Sequence, residues 1–272
     1  MSFNAANEPQ KIVVVNDQSE KLVGLLHDTG SKDVVILCHG FTGRKENKNM
    51  VNISDALEKE GISAYRFDFS GNGESDGTFA YGNYSKEVED IRAVVNHFNG
   101  ASRSEVMLSY YMLQKYHDIR TVVNLSGRYD LKEGIAERLG EDFMESIEKN
   151  GYMDVECQKT VLDDIALTIL RYLVGNVLYR VTKESLMERL NTDMHEAALK
   201  IDKNCRVLTV HGTADEIIPV EDAYEFSKII PNHKLHIIEG ANHSFTEHQD
   251  EVVPVVIDFI KSCMQQDKEI SN

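Results

Sequence analysis
The sequence is short of cysteine, of basic charge and of long apolar runs. Four cysteines occur in 272 residues, Cys38, Cys157, Cys205 and Cys263, and they are widely spaced. No CxxC pair and no small-domain framework results, so reduced thiols in a cytoplasmic protein are expected rather than a disulfide scaffold. Basic residues number 29 against 45 acidic ones, a formal net charge of −16. That balance argues against nucleic acid and anionic membrane as partners. No window holds about 18 uninterrupted apolar residues, so no transmembrane segment is expected. Residues 1–10 are polar and lack the apolar core of a signal peptide. No HExxH occurs. His233 and His236 stand at i and i+3 around the start of a strand, which puts them on opposite sides. No cluster has zinc spacing, and no cofactor is expected.

What is present has a clear order. The run Val34-Val-Ile-Leu-Cys-His-Gly-Phe41 begins as continuous apolar residues and ends in a glycine turn. A run of this length reads as a strand buried on both faces, as in parallel sheets covered by helices. The turn after it admits two readings: an exit loop that offers backbone N–H groups to a ligand, or a simple glycine turn. Residues 11–16 and 21–27 read as a hairpin at an antiparallel edge. Residues 49–60 form an amphipathic helix with Met50, Ile53, Ala56 and Leu57 on one face and Gly61 at its end. A strand at 63–69 leads into the loop Ser70-Gly-Asn-Gly-Glu-Ser-Asp-Gly77, and a helix follows at 85–98. Strands are expected at 121–125, 206–210 and 234–238, and helices at 221–230 and 252–264, where Pro254 is placed in the first turn. Between them, residues 131 to about 200 read as a long helical insertion, with the apolar stretch 165–181 as a helix of a cap.

Strands alternating with helices imply a doubly wound, mostly parallel sheet with helices on both faces. The chain of 272 residues is expected to form one α/β domain, 1–272, with 131–200 as its cap. The segments HGF (39–41), GNGESDG (71–77), HGTADEIIP (211–219) and GANHSF (240–245), in that order, resemble the α/β-hydrolase superfamily. The likeness is to its serine aminopeptidase-like and monoacylglycerol-lipase-like branch, plant esterase-type members included, and covers roughly residues 11–264. In such enzymes the triad runs Ser, then Asp or Glu, then His along the chain. The resemblance therefore implies Asp215 as the triad acid, His243 as the general base and the backbone N–H of Phe41 as an oxyanion donor. His211, just before the acid's loop, is expected to be structural.

The nucleophile is not identifiable. The family carries it on a G-x-S-x-G elbow, and the matching region here has no glycine between Gly100 and Gly127. Tyr and Met cannot supply the small neighbours that a strained elbow needs. With a strand at 106–113, only residues 114–120 remain before the next one, too few for a parallel crossover. A helix over 105–116, capped by Ser104, fits better. On that reading a central strand is lost with the nucleophile, as a splice variant or a faulty gene model would produce. Gly73-Glu-Ser-Asp-Gly77 matches the elbow literally but follows the wrong strand, and Glu74 and Asp76 flank Ser75. Ser109 and Ser126 are weak alternatives.

The sequence thus leads to a carboxylesterase- or lipase-type serine-hydrolase fold acting through an acyl-enzyme, impaired by loss of the elbow. Its partner would be a small-molecule acyl ester, as substrate or as ligand. Two rivals remain open: a non-catalytic binding protein on the same fold, and a product that folds poorly. The oligomeric state is not fixed by the sequence.

Overall fold
The computed structural model describes residues 8–99, 104–107, 119–156 and 177–271. In chain order the first elements are β1 (Gln10–Val15), β2 (Lys21–His27), β3 (Val34–Cys38), α1 (Lys48–Lys59), β4 (Ser63–Phe67), α2 (Tyr84–Asn99), β5 (Ser104–Met107) and β6 (Thr121–Leu125). Next come α3 (Ile135–Leu139), α4 (Phe143–Asn150), β7 (Tyr152–Glu156), β8 (Val177–Thr182) and α5 (Lys183–Asn191). The last are α6 (Met194–Leu199), β9 (Arg206–Gly212), α7 (Glu221–Ile229), β10 (His233–Ile238) and α8 (Gln249–Ser271). They fall into two compact units, residues 1–77, 86–130 and 194–272, and residues 78–85 and 131–193.

The larger unit is an eight-stranded sheet in the order β1-β2-β4-β3-β5-β6-β9-β10. β1 pairs antiparallel with β2, and β2 antiparallel with β4. All other neighbours are parallel. The apolar run of β3 is interior, as its lack of alternation requires. Successive residues of a strand face opposite ways. Val35 and Leu37 of β3 therefore join Met50, Ile53 and Leu57 of α1 and Val252, Val256, Ile257 and Ile260 of α8 in one core cluster. Each such side chain contributes about 1.5–3 kcal/mol on burial. On β4, Ala64 belongs to that cluster while Tyr65 turns the other way, its ring 4.9 Å from that of Phe98 in α2. Helices thus cover both faces of the sheet.

Two elements of the larger unit differ from what the sequence suggests. No helix begins at 105: residues 104–107 are β5, paired with β3 from Val34↔Ser104 to Leu37↔Met107 and with β6 at Val106↔Val122. The central strand is kept, not lost. Without it, β3 and β6 would each bury a row of unpaired backbone groups, a larger penalty than the helix propensity of the segment could offset. The crossover argument fails because the strand sits earlier, which leaves residues 108–120, thirteen in all, before β6. Residues 108–118, where an elbow would stand, lie outside the described residues. At the C-terminus, α8 starts at Gln249, so Pro254 is in its second turn rather than its first. The polar tail is helical to Ser271, tied to β9 by a two-pronged pair from Arg206 to Asp267 at 2.9 and 3.0 Å.

The smaller unit is not wholly helical. β7 and β8 form an antiparallel pair, so Val177–Thr182, the end of the apolar stretch read as a cap helix, is strand. Opposite residues Asp154 and Arg180 explain the pairing: the guanidinium bonds the carboxylate at 2.7 and 2.8 Å and lies 3.8 Å from the Tyr152 ring. Residues 157–176, the rest of that stretch among them, lie outside the described residues. The unit's own core gathers Tyr81, Ile135, Leu139, Ile147, Val181 and Leu186. A reciprocal cap between Thr182 and Ser185 starts α5.

Candidate active site
Parallel strands end on one edge of the sheet, and there the loops after β3, β6, β9 and β10 carry the polar residues. β9 and β10 are neighbours in register from Val207↔His233 to Gly212↔Ile238. Their exit loops therefore start side by side. Gly212 lets them meet: a Cβ there would lie 2.1 Å from the Ala241 carbonyl oxygen. Thr213 N–H donates to Ile238 O, and Ala214 N–H to Ala241 O, which ties the two loops together.

The result brings Asp215 and His243 into contact. His243 Nδ1 is 2.8 Å from Asp215 Oδ2. The aspartate side chain is fully buried, while that of His243 is 29 % exposed. Oδ1 of Asp215 accepts the backbone N–H groups of Ile217 and Ile218, each at 2.9 Å. Burial pushes this carboxyl's pKa up, but hydrogen bonds from His211, His243 and those two amides outweigh it and hold it well below the usual carboxylate range. A carboxylate so fixed accepts a hydrogen bond from the Nδ1–H of a neutral imidazole, which leaves the His243 Nε2 lone pair as the basic position. Ser126 Oγ, at the exit of β6, donates to the backbone carbonyl of His243 at 3.2 Å and steadies its loop.

The ring of His211, expected to be structural, is fully buried and touches Asp215: Nε2 is 3.2 Å from Asp215 Oδ2 and 3.0 Å from Ile218 O. Sequence reasoning missed this contact. The signal available was a histidine at a strand end, four residues before a carboxylate in a tight loop.

Phe41 stands at the exit of β3, 42 % exposed. Its loop is rigid for identifiable reasons. His39 Nδ1 is 2.8 Å from Gly40 O, and its Nε2 accepts the Phe69 N–H at 3.1 Å. Those roles make the ring a neutral Nδ1–H tautomer, and burial lowers its pKa in the same sense. Thr42 is left-handed at φ 54°. Lys45 then anchors the loop to Asp68: its Nζ meets Asp68 Oδ2 at 2.7 Å, Glu74 at 2.8 Å and Glu46 at 3.1 Å.

The serines divide. Ser75 Oγ donates to Asp68 O at 2.6 Å and accepts Val23 N–H at 2.9 Å, so its hydroxyl is spent on holding the 71–77 loop. Ser126 is left-handed at φ 52°, with its hydroxyl turned to a carbonyl rather than offered to an imidazole in this arrangement. Ser109 lies outside the described residues. No serine is assigned as nucleophile.

A possible cation cluster, His27, Asp55 and Glu58, lies elsewhere. His27 Nε2 accepts Arg66 Nε–H at 3.4 Å, so the proton of the neutral ring sits on Nδ1, facing Glu58 at 2.8 Å. A metal would need that nitrogen bare, and an arginine donor behind a ligand histidine is the reverse of the usual support. These residues do not fit a metal site.

This architecture and its strand-exit residues define an α/β-hydrolase fold. Residues 29–112 match the family model described as Serine aminopeptidase, S33. Est1E from Butyrivibrio proteoclasticus, described with ferulic acid bound, superposes with a TM-score of 0.69 at 19% identity, over 92% of this chain and 98% of its own. The Pyrococcus furiosus esterase Pf2001 gives a TM-score of 0.67 at 21% identity, over 94% and 91%. The α/β hydrolase GrgF from Penicillium sp. sh18 gives 0.67 at 14% identity, over 94% and 99%. No curated protein sequence matches the chain. The chain is thus similar to the α/β-hydrolase superfamily, in fold over most of its length and in sequence over residues 29–112. Among the described residues no helix is long and apolar enough to cross a membrane.

Proposed function
We propose that this chain is a carboxylesterase-type member of that superfamily, with a small-molecule acyl ester as substrate or ligand. Asp215 is the acid that orients and steadies the charged base, His243 is the base, and the backbone N–H of Phe41 faces the developing oxyanion. The observation that carries this reading is the 2.8 Å contact between a fully buried carboxylate and a part-exposed imidazole at neighbouring strand exits. The branch of the superfamily, serine aminopeptidase-like and lipase-like, is supported by the match over residues 29–112.

The chain is impaired as an acyl-enzyme former. No glycine stands between Gly100 and Gly127 to build the elbow that presents a serine to His243. Without a serine to deprotonate, His243 can still act as general base toward a water that attacks the ester, a role worth about 10²–10⁴-fold. The test uses a hydroxycinnamate aryl ester and a fluorophosphonate probe on the full chain. Slow ester hydrolysis that disappears in His243→Ala, with no probe adduct, is the expected outcome. Hydrolysis unchanged by that substitution would sink the dyad assignment, and a single serine adduct would sink the impairment.

A further inference from the structure
We infer that His211 is a positioning residue of the dyad: its Nε2–H shares Asp215 Oδ2 with His243 and sets how strongly that oxygen holds the His243 Nδ1 proton. The inference rests on the dyad reading above.

Three observations carry it. The first is geometric. Asp215 Oδ2 has an imidazole nitrogen on each side, His243 Nδ1 at 2.8 Å and His211 Nε2 at 3.2 Å, while Oδ1 is occupied by two amides. The second is the tautomer. Among the described residues the buried His211 Nδ1 has no hydrogen-bond partner, whereas Nε2 bonds Ile218 O at 3.0 Å and lies 3.2 Å from Asp215 Oδ2. A proton on Nδ1 would be a stranded buried donor beside two unmatched acceptors. In the neutral ring the proton is therefore on Nε2. The third is burial. The side chains of both His211 and Asp215 are fully buried, so no water competes for Oδ2 and each donor is felt at close to full strength.

The single His211 Nε2–H is divided between Ile218 O and Asp215 Oδ2, and its share at Oδ2 competes with the His243 donor. Each withdraws electron density from that oxygen, so the His211 bond weakens the His243 bond while it fixes the carboxylate plane. The effect is to keep the acid ionised and oriented without letting it grip the base's proton too tightly. Two charged groups reach the neighbourhood of the pair: Glu216, whose Oε2 is 3.4 Å from His243 N, and Arg128 from the β6 exit, whose guanidinium donates to Ile217 O. Both reach this region through backbone atoms.

The readout is the low-field proton resonance of His243 Nδ1–H in the full-length chain, assigned by its loss in His243→Gln. In His211→Leu the competing donor is gone, so the resonance is expected to move further downfield. In His211→Gln the amide N–H reaches the former Nε2 position, so the resonance is expected to return to the wild-type shift. His211→Asn, whose shorter amide stops near the Nδ1 position, serves as a second donor-less variant if the leucine chain does not fold. An unmoved resonance in the donor-less variant overturns the inference, as does a glutamine variant that moves with it. Asp215→Asn separates the two readings. If that substitution leaves the resonance untouched, the dyad itself fails. If it abolishes the resonance while the His211 variants do nothing, the dyad stands and the role of His211 falls.

Discussion
Replacing Lys45 by methionine should cost far more than replacing Lys11, although both lysines bind the same carboxylate. Lys45 Nζ bridges Asp68, Glu74 and Glu46 with a side chain only 3 % exposed, and Asp68 beside it is fully buried. Burial alone would lower the lysine's pKa, but hydrogen bonds to those three carboxylates raise it well above the usual value. With methionine at 45, Asp68 keeps two backbone donors, Lys45 N at 2.7 Å and Glu74 N at 3.0 Å, and loses its counter-ion. Leaving one member of a buried pair uncompensated costs about 3–5 kcal/mol. For a chain of this size that is a drop in melting temperature of roughly 6–20 °C. Lys11 meets Glu74 at 2.6 Å with both side chains more than half exposed, and its loss should leave the melt where it was. Urea unfolding of wild type, Lys45→Met and Lys11→Met, compared at constant m-value, gives the two differences. A Lys45→Met chain within about 1 kcal/mol of wild type would refute the claim that the ion pair is a buried, cooperative anchor.

Two further outcomes follow from the site. Asp215 is depressed below an unfolded aspartate, which titrates near 3.9, so its contribution is present above that value and lost as pH falls through the lower folded value. The urea midpoint of wild type should therefore exceed that of Asp215→Asn near neutrality and converge on it in acid, and parallel curves from pH 6 to pH 2 would contradict this. Gly212→Ala would put a Cβ 2.1 Å from Ala241 O, a backbone atom that cannot swing aside. A loss of about 1–3 kcal/mol and a displaced His243 Nδ1–H resonance are expected, and an unchanged melt with an unchanged resonance would count against the close approach.

Most of the sheet was legible because parallel, doubly covered strands leave a plain mark. Val34–Cys38 has no polar residue to alternate with, and Thr121–Leu125 and Arg206–Gly212 are rich in β-branched residues. Asp215 and His243 could be singled out because each follows such a strand within a few residues. What failed depended on partners. Ser104–Met107 holds too little pattern to mark a strand, and it is one because β3 and β6 lie on either side of it. Val177–Thr182 ends an apolar stretch that suits a helix equally well, and its pairing with Tyr152–Glu156 decides the matter. The His211 contact was hidden for a similar reason: spacing along a chain does not say that a loop folds back over its own strand end.

The order of the strands has a consequence for how the candidate site holds together. Asp215 and His243 follow β9 and β10, which are direct neighbours, and their exit loops are tied to each other by backbone hydrogen bonds. Phe41 follows β3, and β5 and β6 stand between β3 and β9. The contact between carboxylate and imidazole is therefore local to one strand pair, whereas the reach from either of them to the Phe41 N–H is summed over every strand spacing in between. On the proposed roles, a change in the twist of the sheet leaves the Asp215–His243 contact intact while it moves the oxyanion donor.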